Sequence, residues 1–239
     1  IRLGIYGNED PMYILAGLPF IAPDYSSAWL LKDVQMEYLQ EKFAKKGLMI
    51  LYTAPWPGQG FYTKFPVNSV SDFKGKKLRI YSTATQQMGS MLGFNATILP
   101  FAEIPQAFST GLIEALFTSP QTGIDIQAWD NTKHFTYAGA IFSKNAVVVT
   151  KKAFDALSKA DQSSMLAAAK RAELRGWEMS AETTKKQIGT LKKNGMSSKN
   201  APDQVISKMK SIGLEMMKNW RSKASPEANA VLDRYLSMR

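Results

Sequence analysis

Residues 77–99 run Lys77-Leu78-Arg79-Ile80-Tyr81, then Ser82 through Leu92 and Gly93, then Phe94-Asn95-Ala96-Thr97-Ile98-Leu99. The spacing predicts a strand over 77–81, a helix over 83–92 stopped by Gly93, and a second strand over 96–99. The same alternation extends on both sides. Upstream, Trp29, Leu30, Val34, Tyr38, Leu39 and Phe43 recur at helical spacing across 26–46, with Ser26 or Ser27 as cap and Gly47 as stop. A continuous apolar run, Leu48 to Tyr52, reads as a buried strand, and Phe61-Tyr62-Thr63 as another. Downstream, Glu103–Ser109 predicts a helix, Leu112–Phe117 a strand, Asp125–Trp129 a helix, and β-branched Ala146–Thr150 a strand. Strands alternating with helices predict an α/β architecture with a mostly parallel sheet.

The ends of the chain read differently. Residues 1–24 are broken by Gly4, Gly7, Pro11, Gly17, Pro19 and Pro23, which predicts short turns and strands. From Lys152 onward the chain is helical. A short helix holds Phe154 and Leu157, and 161–193 reads as one long amphipathic helix or two abutting ones, with Gly176 as the bend and Gly195 as the stop. Two more cover 203–220 and 226–238.

Composition excludes several chemistries. The 239 residues contain no Cys and one His, which leaves no thiolate catalysis, thiolate zinc site or iron–sulfur cluster, and no site needing two His ligands. No apolar run reaches the roughly 18–20 residues of a membrane span. The net charge is +10. Residues 151–239 hold 18 basic and 9 acidic side chains, so nearly all of the excess lies there, on helices whose lysines alternate with apolar positions. Solvated helix faces explain this better than a nucleic-acid surface. Gly58-Gln59-Gly60 lacks the Lys-Ser/Thr or third glycine of a nucleotide loop. His134 has no carboxylate cluster near it in sequence, and Asp125 and Asp130 are five apart, a poor spacing for one helix face. No cofactor or metal site is expected.

Arg79 carries the sharpest question. It lies between apolar neighbours in a strand, and a buried guanidinium without a partner is costly. A structural carboxylate such as Glu103 or Asp125 meets that need, and a ligand carboxylate meets it equally through the bidentate fork. Aromatics crowd the predicted loops and strand ends, among them Trp56, Phe61, Phe117 and Trp129. Half or more of such residues are core, and the others line clefts for small ligands.

Three segments occur in order: Lys74-Gly75-Lys76-Lys77-Leu78-Arg79-Ile80, Pro100-Phe101-Ala102-Glu103-Ile104-Pro105-Gln106-Ala107-Phe108-Ser109-Thr110-Gly111, and Lys144-Asn145-Ala146-Val147-Val148-Val149. Together they resemble the extracytoplasmic solute-binding subunits of tripartite ATP-independent periplasmic (TRAP) transporters, the DctP-like family. Gly17-Leu18-Pro19-Phe20 and the long helix extend the resemblance over nearly the whole chain.

The resemblance implies an α/β, two-lobed, periplasmic-binding-protein-like (type II-like) fold with a long helix spanning both lobes. Lobe I would comprise 1–55 and 145–185, and lobe II 56–144 and 186–239. It implies a periplasmic protein that captures a small organic acid between its lobes and delivers it to the TRAP membrane permease. Such a protein binds its ligand and is not an enzyme, does not itself span the membrane, and takes no nucleic acid. Arg79 falls on the arginine that binds the ligand carboxylate. Thr118, beside Ser119, stands where the family usually has a contacting Asn. Gln59 stands near the place of a second arginine, so a second carboxylate-binding charge is expected to be missing. Asn145 lies at the hinge strand, where the resemblance implies a hydrogen bond to the ligand. With Trp56, Phe61, Phe117 and Trp129, these residues point to a monocarboxylate with an apolar or aromatic body. The resemblance also implies a strand, a helix and a second strand ahead of the region matching Ile1, which this chain lacks. The alternative reading is a ligand-sensing domain of a regulator with a similar two-lobed fold. An enzyme acting on an organic acid lacks a base–nucleophile pair here.

Overall fold

The structure, a computed structural model, describes residues 1–239. It is a mixed α/β protein with two sheets and one long helix. Two short 3-10 helices, Leu3–Tyr6 and Pro11–Gly17, open the chain where turns and strands were expected. Helix α1 (Tyr25–Ala44) follows. Its cap is Asp24, whose carboxylate accepts from the Ser27 amide at 2.7 Å, so Ser27 is the donor and not the cap. Strand β1 (Leu48–Pro55) leads out of α1 and pairs antiparallel with β7 (Lys144–Thr150).

The second sheet has six strands. Its members are β2 (Gly60–Thr63), β3 (Lys77–Ile80), β4 (Asn95–Ile98), β5 (Ala115–Thr118), β6 (His134–Tyr137) and β8 (Ser197–Asn200), in the order β4-β3-β5-β2-β6-β8. The β3–β4, β3–β5 and β6–β8 pairs are parallel, and β2 runs antiparallel to β5 and β6. The sheet is therefore mixed, and the β1–β7 pair is wholly antiparallel, which corrects the expectation of a mostly parallel sheet. Two strands, β6 and β8, were not expected at all.

Helices α2 (Thr83–Met91), α3 (Ile104–Ser109) and α4 (Pro120–Asp125) connect the strands. Helix α4 starts earlier than the 125–129 expected from sequence, because Ser119 caps it and Pro120 occupies its first turn. After the short α5 (Lys151–Asp155), α6 runs unbroken from Lys159 to Lys193, through Gly176. Near its middle Glu173 bonds to Thr53 of β1, and further on Gln187 donates to Gln121 of α4 at 2.9 Å. One helix thus grips both lobes of the molecule.

Side-chain alternation divides the core. Phe61 of β2 and Phe117 of β5 face each other on one side of the sheet, where their rings pack with Phe73 and Phe94 at centroid distances of 4.5–5.8 Å. Tyr62, Leu116 and Phe135 project to the other face and join Ile104, Phe108 and Leu191. On α7 (Asp203–Lys223), Val205, Met209, Ile212, Met216 and Trp220 form one buried stripe at helical spacing. Helix α8 (Pro226–Met238) packs along α1, and Tyr235 and Arg239 both donate to the Ile21 carbonyl. The C-terminal helix therefore packs on the α1 side of the molecule. No helix is long and apolar enough to cross a membrane.

Candidate functional site

Three chain segments leave the same end of the large sheet: Tyr81 after β3, Leu99 to Phe101 after β4, and Thr118-Ser119 after β5. Ligands of open α/β sheets bind outside these carboxyl ends. Gln59 reaches the same end because β2 is antiparallel to β5, with Gly60 opposite Thr118. Trp56, just past β1, Ser143, just before β7, and Asn145, within β7, come from the β1–β7 strand pair. Arg2 and Ile5 also approach from the N-terminal segment. These groups line a cavity of about 460 Å³.

Arg79 is one of the charged groups that line it. Its side chain is 2 % exposed, its Nε donates to the Leu99 carbonyl at 3.0 Å, and its Nη2 is buried without a partner. No carboxylate forms an ion pair with it. Neither Glu103 nor Asp125 supplies the structural counter-ion considered from the sequence. Burial first, and the nearby Arg2 charge second, pull the guanidinium down to about 10. Leaving a buried cation unpaired is expensive.

Around it the polar groups are held in place. Tyr81 Oη donates to Gln59 Oε1 at 2.7 Å, and Gln59 Nε2 donates to Ser143 Oγ at 3.0 Å, which ties the large sheet to the start of β7. Burial raises the Tyr81 phenol to about 12, so it remains a neutral donor. Ser119 Oγ accepts the Thr122 amide at 3.2 Å and shares a 3.0 Å bond with the Thr122 hydroxyl. Asn145 Oδ1 is buried with no partner.

Of the residues singled out from sequence, Arg79, Gln59, Thr118, Ser119, Trp56 and Asn145 converge on this cavity. Phe61 and Phe117 do not. Both are fully buried in the four-phenylalanine cluster, because the pleat turns them away from the cleft. Trp129 packs against the second core cluster instead. A second cation does line the cavity, although not at Gln59. Gln59 occupies its predicted place, but Arg2 brings a guanidinium into the same cavity. That guanidinium lies 4.9 Å from the Tyr81 ring centre, with its Nε buried and unpartnered. Nothing in the irregular 1–24 stretch marks Arg2 as a site residue. Its bridge pairing with Asn145 and the bonds of Ile1 to Ala146 bring it to the cleft. No group of three or more His, Cys, Asp or Glu side chains is close enough to hold a metal ion.

The sequence profile of the bacterial extracellular solute-binding proteins of family 7, DctP, matches residues 2–223. The chain belongs to this family. Among solved structures, the DctP-family chain superposes on DctP7, a Bordetella pertussis extracytoplasmic solute receptor binding pyroglutamic acid. The TM-score is 0.95 at 36% identity, over 98% of this chain and 78% of that one. A TRAP solute-binding protein from a marine metagenome, specific for pyroglutamate, superposes with a TM-score of 0.92 at 31% identity. There the match covers 98% of this chain and 77% of that one. A solute-binding protein from Chromohalobacter salexigens is 25% identical over 196 residues, which is 78% of this DctP-family chain. The chain spans 57% of the length of that curated relative.

Proposed function

We propose that this chain is the solute-capturing part of a periplasmic TRAP receptor, which binds a small organic acid in the cavity between its lobes and delivers it to a membrane permease. The observation that carries this reading is Arg79, a buried guanidinium aimed at a cavity with no carboxylate of the chain to meet it. A ligand carboxylate supplies the missing counter-charge. Contacts to both lobes then favour the closed arrangement, as a population shift toward the state that the ligand binds better.

The charged side chains lining the cavity are Arg2, Arg79 and the exposed Asp125, one net positive charge in all. This balance favours a monoanion. Pyroglutamate, the ligand of DctP7 and of the marine metagenome protein, is a cyclic monocarboxylate and the first candidate. The test is thermal denaturation with and without pyroglutamate, in the wild type and in Arg79→Ala. A ligand-dependent rise in Tm in the wild type that disappears in Arg79→Ala supports the assignment. A full rise retained in the variant refutes it.

A further inference from the structure

Three of the residues lining the cavity each carry a buried polar atom with no partner within the chain: Arg79 Nη2, Arg2 Nε and Asn145 Oδ1. Two are donors on cations and one is an acceptor. Arg79 stands on the large sheet. Arg2 and Asn145 face each other across an isolated antiparallel bridge beside β7. Buried polar groups without partners are uncommon and costly, so three around one cavity describe the complement of what fills it.

We propose that Arg2 and Asn145 form the second arm of the site, Arg2 sharing the ligand's anionic group with Arg79 and Asn145 Oδ1 accepting from a ligand N–H or O–H. The ligand class that follows is a carboxylate carrying a hydrogen-bond donor close by, such as a lactam acid or a hydroxy acid. This rests on the reading of the cavity as an organic-acid site and adds to it. A bare carboxylate satisfies Arg79 but leaves Asn145 Oδ1 empty. A neutral amide satisfies Asn145 but leaves two cations unmatched. The position of Arg2 is fixed from several sides. Its guanidinium rests on the Tyr81 ring, and the backbone of Ile1 is bonded to Ala146 through both its amino group and its carbonyl. Two like charges approaching one cavity also repel. An anion between them removes that repulsion and draws the two lobes together.

The experiment is calorimetric titration of the 239-residue chain with two ligands. One is pyroglutamate, and the other is the isosteric lactone acid in which ring oxygen replaces the N–H. The wild type is expected to prefer the lactam at least about tenfold. Arg2→Gln is expected to weaken both acids by about 10- to 100-fold and to leave their ratio unchanged. Asn145→Ala is expected to collapse the ratio toward one. Arg2→Lys, which keeps the charge without the fork, is expected to fall between and guards against a folding defect in Arg2→Gln. The wild-type ratio does not depend on any variant folding. Unchanged affinities in both Arg2 variants, or a wild type indifferent to the N–H, overturn this inference and leave the Arg79 site standing. Failure of the wild type to bind either acid overturns the organic-acid reading itself.

Discussion

Arg79 Nε donates to the carbonyl of Leu99 across 3.0 Å, and this is the one hydrogen bond that its guanidinium makes within the chain. Leu99 follows β4, the parallel neighbour of β3, so the register that places Arg79 opposite Thr97 also puts the anchoring carbonyl two residues on. The bond fixes the orientation of the fork and leaves its outer nitrogen free for a ligand.

A buried cation kept for a ligand costs stability when the site is empty. Arg79→Met is expected to abolish carboxylate binding and to raise the unliganded stability, on the order of 1–3 kcal/mol, by urea denaturation. Arg79→Lys is expected to weaken binding as well, because a point charge cannot replace the bidentate fork. Loss of both binding and stability in Arg79→Met, with the fold retained, contradicts this account.

Lys144 makes stability depend on pH. It is buried at the start of β7, and its Nζ donates to Gln35 Oε1 at 2.7 Å. Burial first, and the neighbouring Lys32 charge second, push its ammonium from 10.5 down to about 7. Between these values the unfolded chain holds a proton that the folded chain has given up. Stability therefore rises with pH from about 7 to about 10, by at most ~1.4 kcal/mol per pH unit from this group. Melting curves across that range should show the rise in the wild type and a flatter profile in Lys144→Met.

Glu173 ties three elements together. Its Oε1 accepts the Thr53 amide at 2.8 Å and the Thr53 hydroxyl at 2.7 Å, while Oε2 accepts from Lys32 Nζ at 3.3 Å. Glu173→Ala strands a buried N–H on β1 and leaves the Lys32 ammonium on α1 with Asp33 as its one remaining carboxylate. A loss of about 2–4 kcal/mol is expected by chemical denaturation. Glu173→Gln keeps an acceptor for Thr53 and should lose less than half of that.

Gly123 is needed for close approach. A Cβ there would overlap the hydroxyl of Tyr62, which is fully buried and donates to the Ser119 carbonyl at 3.1 Å. Gly123→Ala must displace α4 or the Tyr62 ring. We expect a destabilisation of about 1–3 kcal/mol and a loss of ligand affinity, since Ser119 and Thr122 move with α4. A variant with wild-type Tm and affinity counts against this packing argument.

Much of this fold is legible in the residue pattern. β1 and β7 hold continuous apolar runs, β3 alternates Leu78 and Ile80 with charged residues, and α1, α6 and α7 carry helical periodicity, so each element follows from a local pattern. β8 does not, because Ser197-Ser198-Lys199-Asn200 has no apolar face. It is a strand only because it pairs in parallel with β6 at the sheet edge. Phe61, Phe117 and Trp129 were placed near the cleft because aromatic side chains serve cores and clefts alike, and only the pleat and the packing around each ring separate the two.

The sequence by itself determined the α/β alternation, the family motifs and the requirement that Arg79 find an anion, since each rests on neighbouring residues or on the chemistry of one side chain. Tertiary structure decided that no carboxylate of the chain reaches Arg79, that Arg2 enters the same cavity, and that Asn145 Oδ1 is left open there. These are facts of position between residues as many as 143 apart in the chain, Arg2 and Asn145 among them. The pairing of strands brings such residues together, and no local pattern records it.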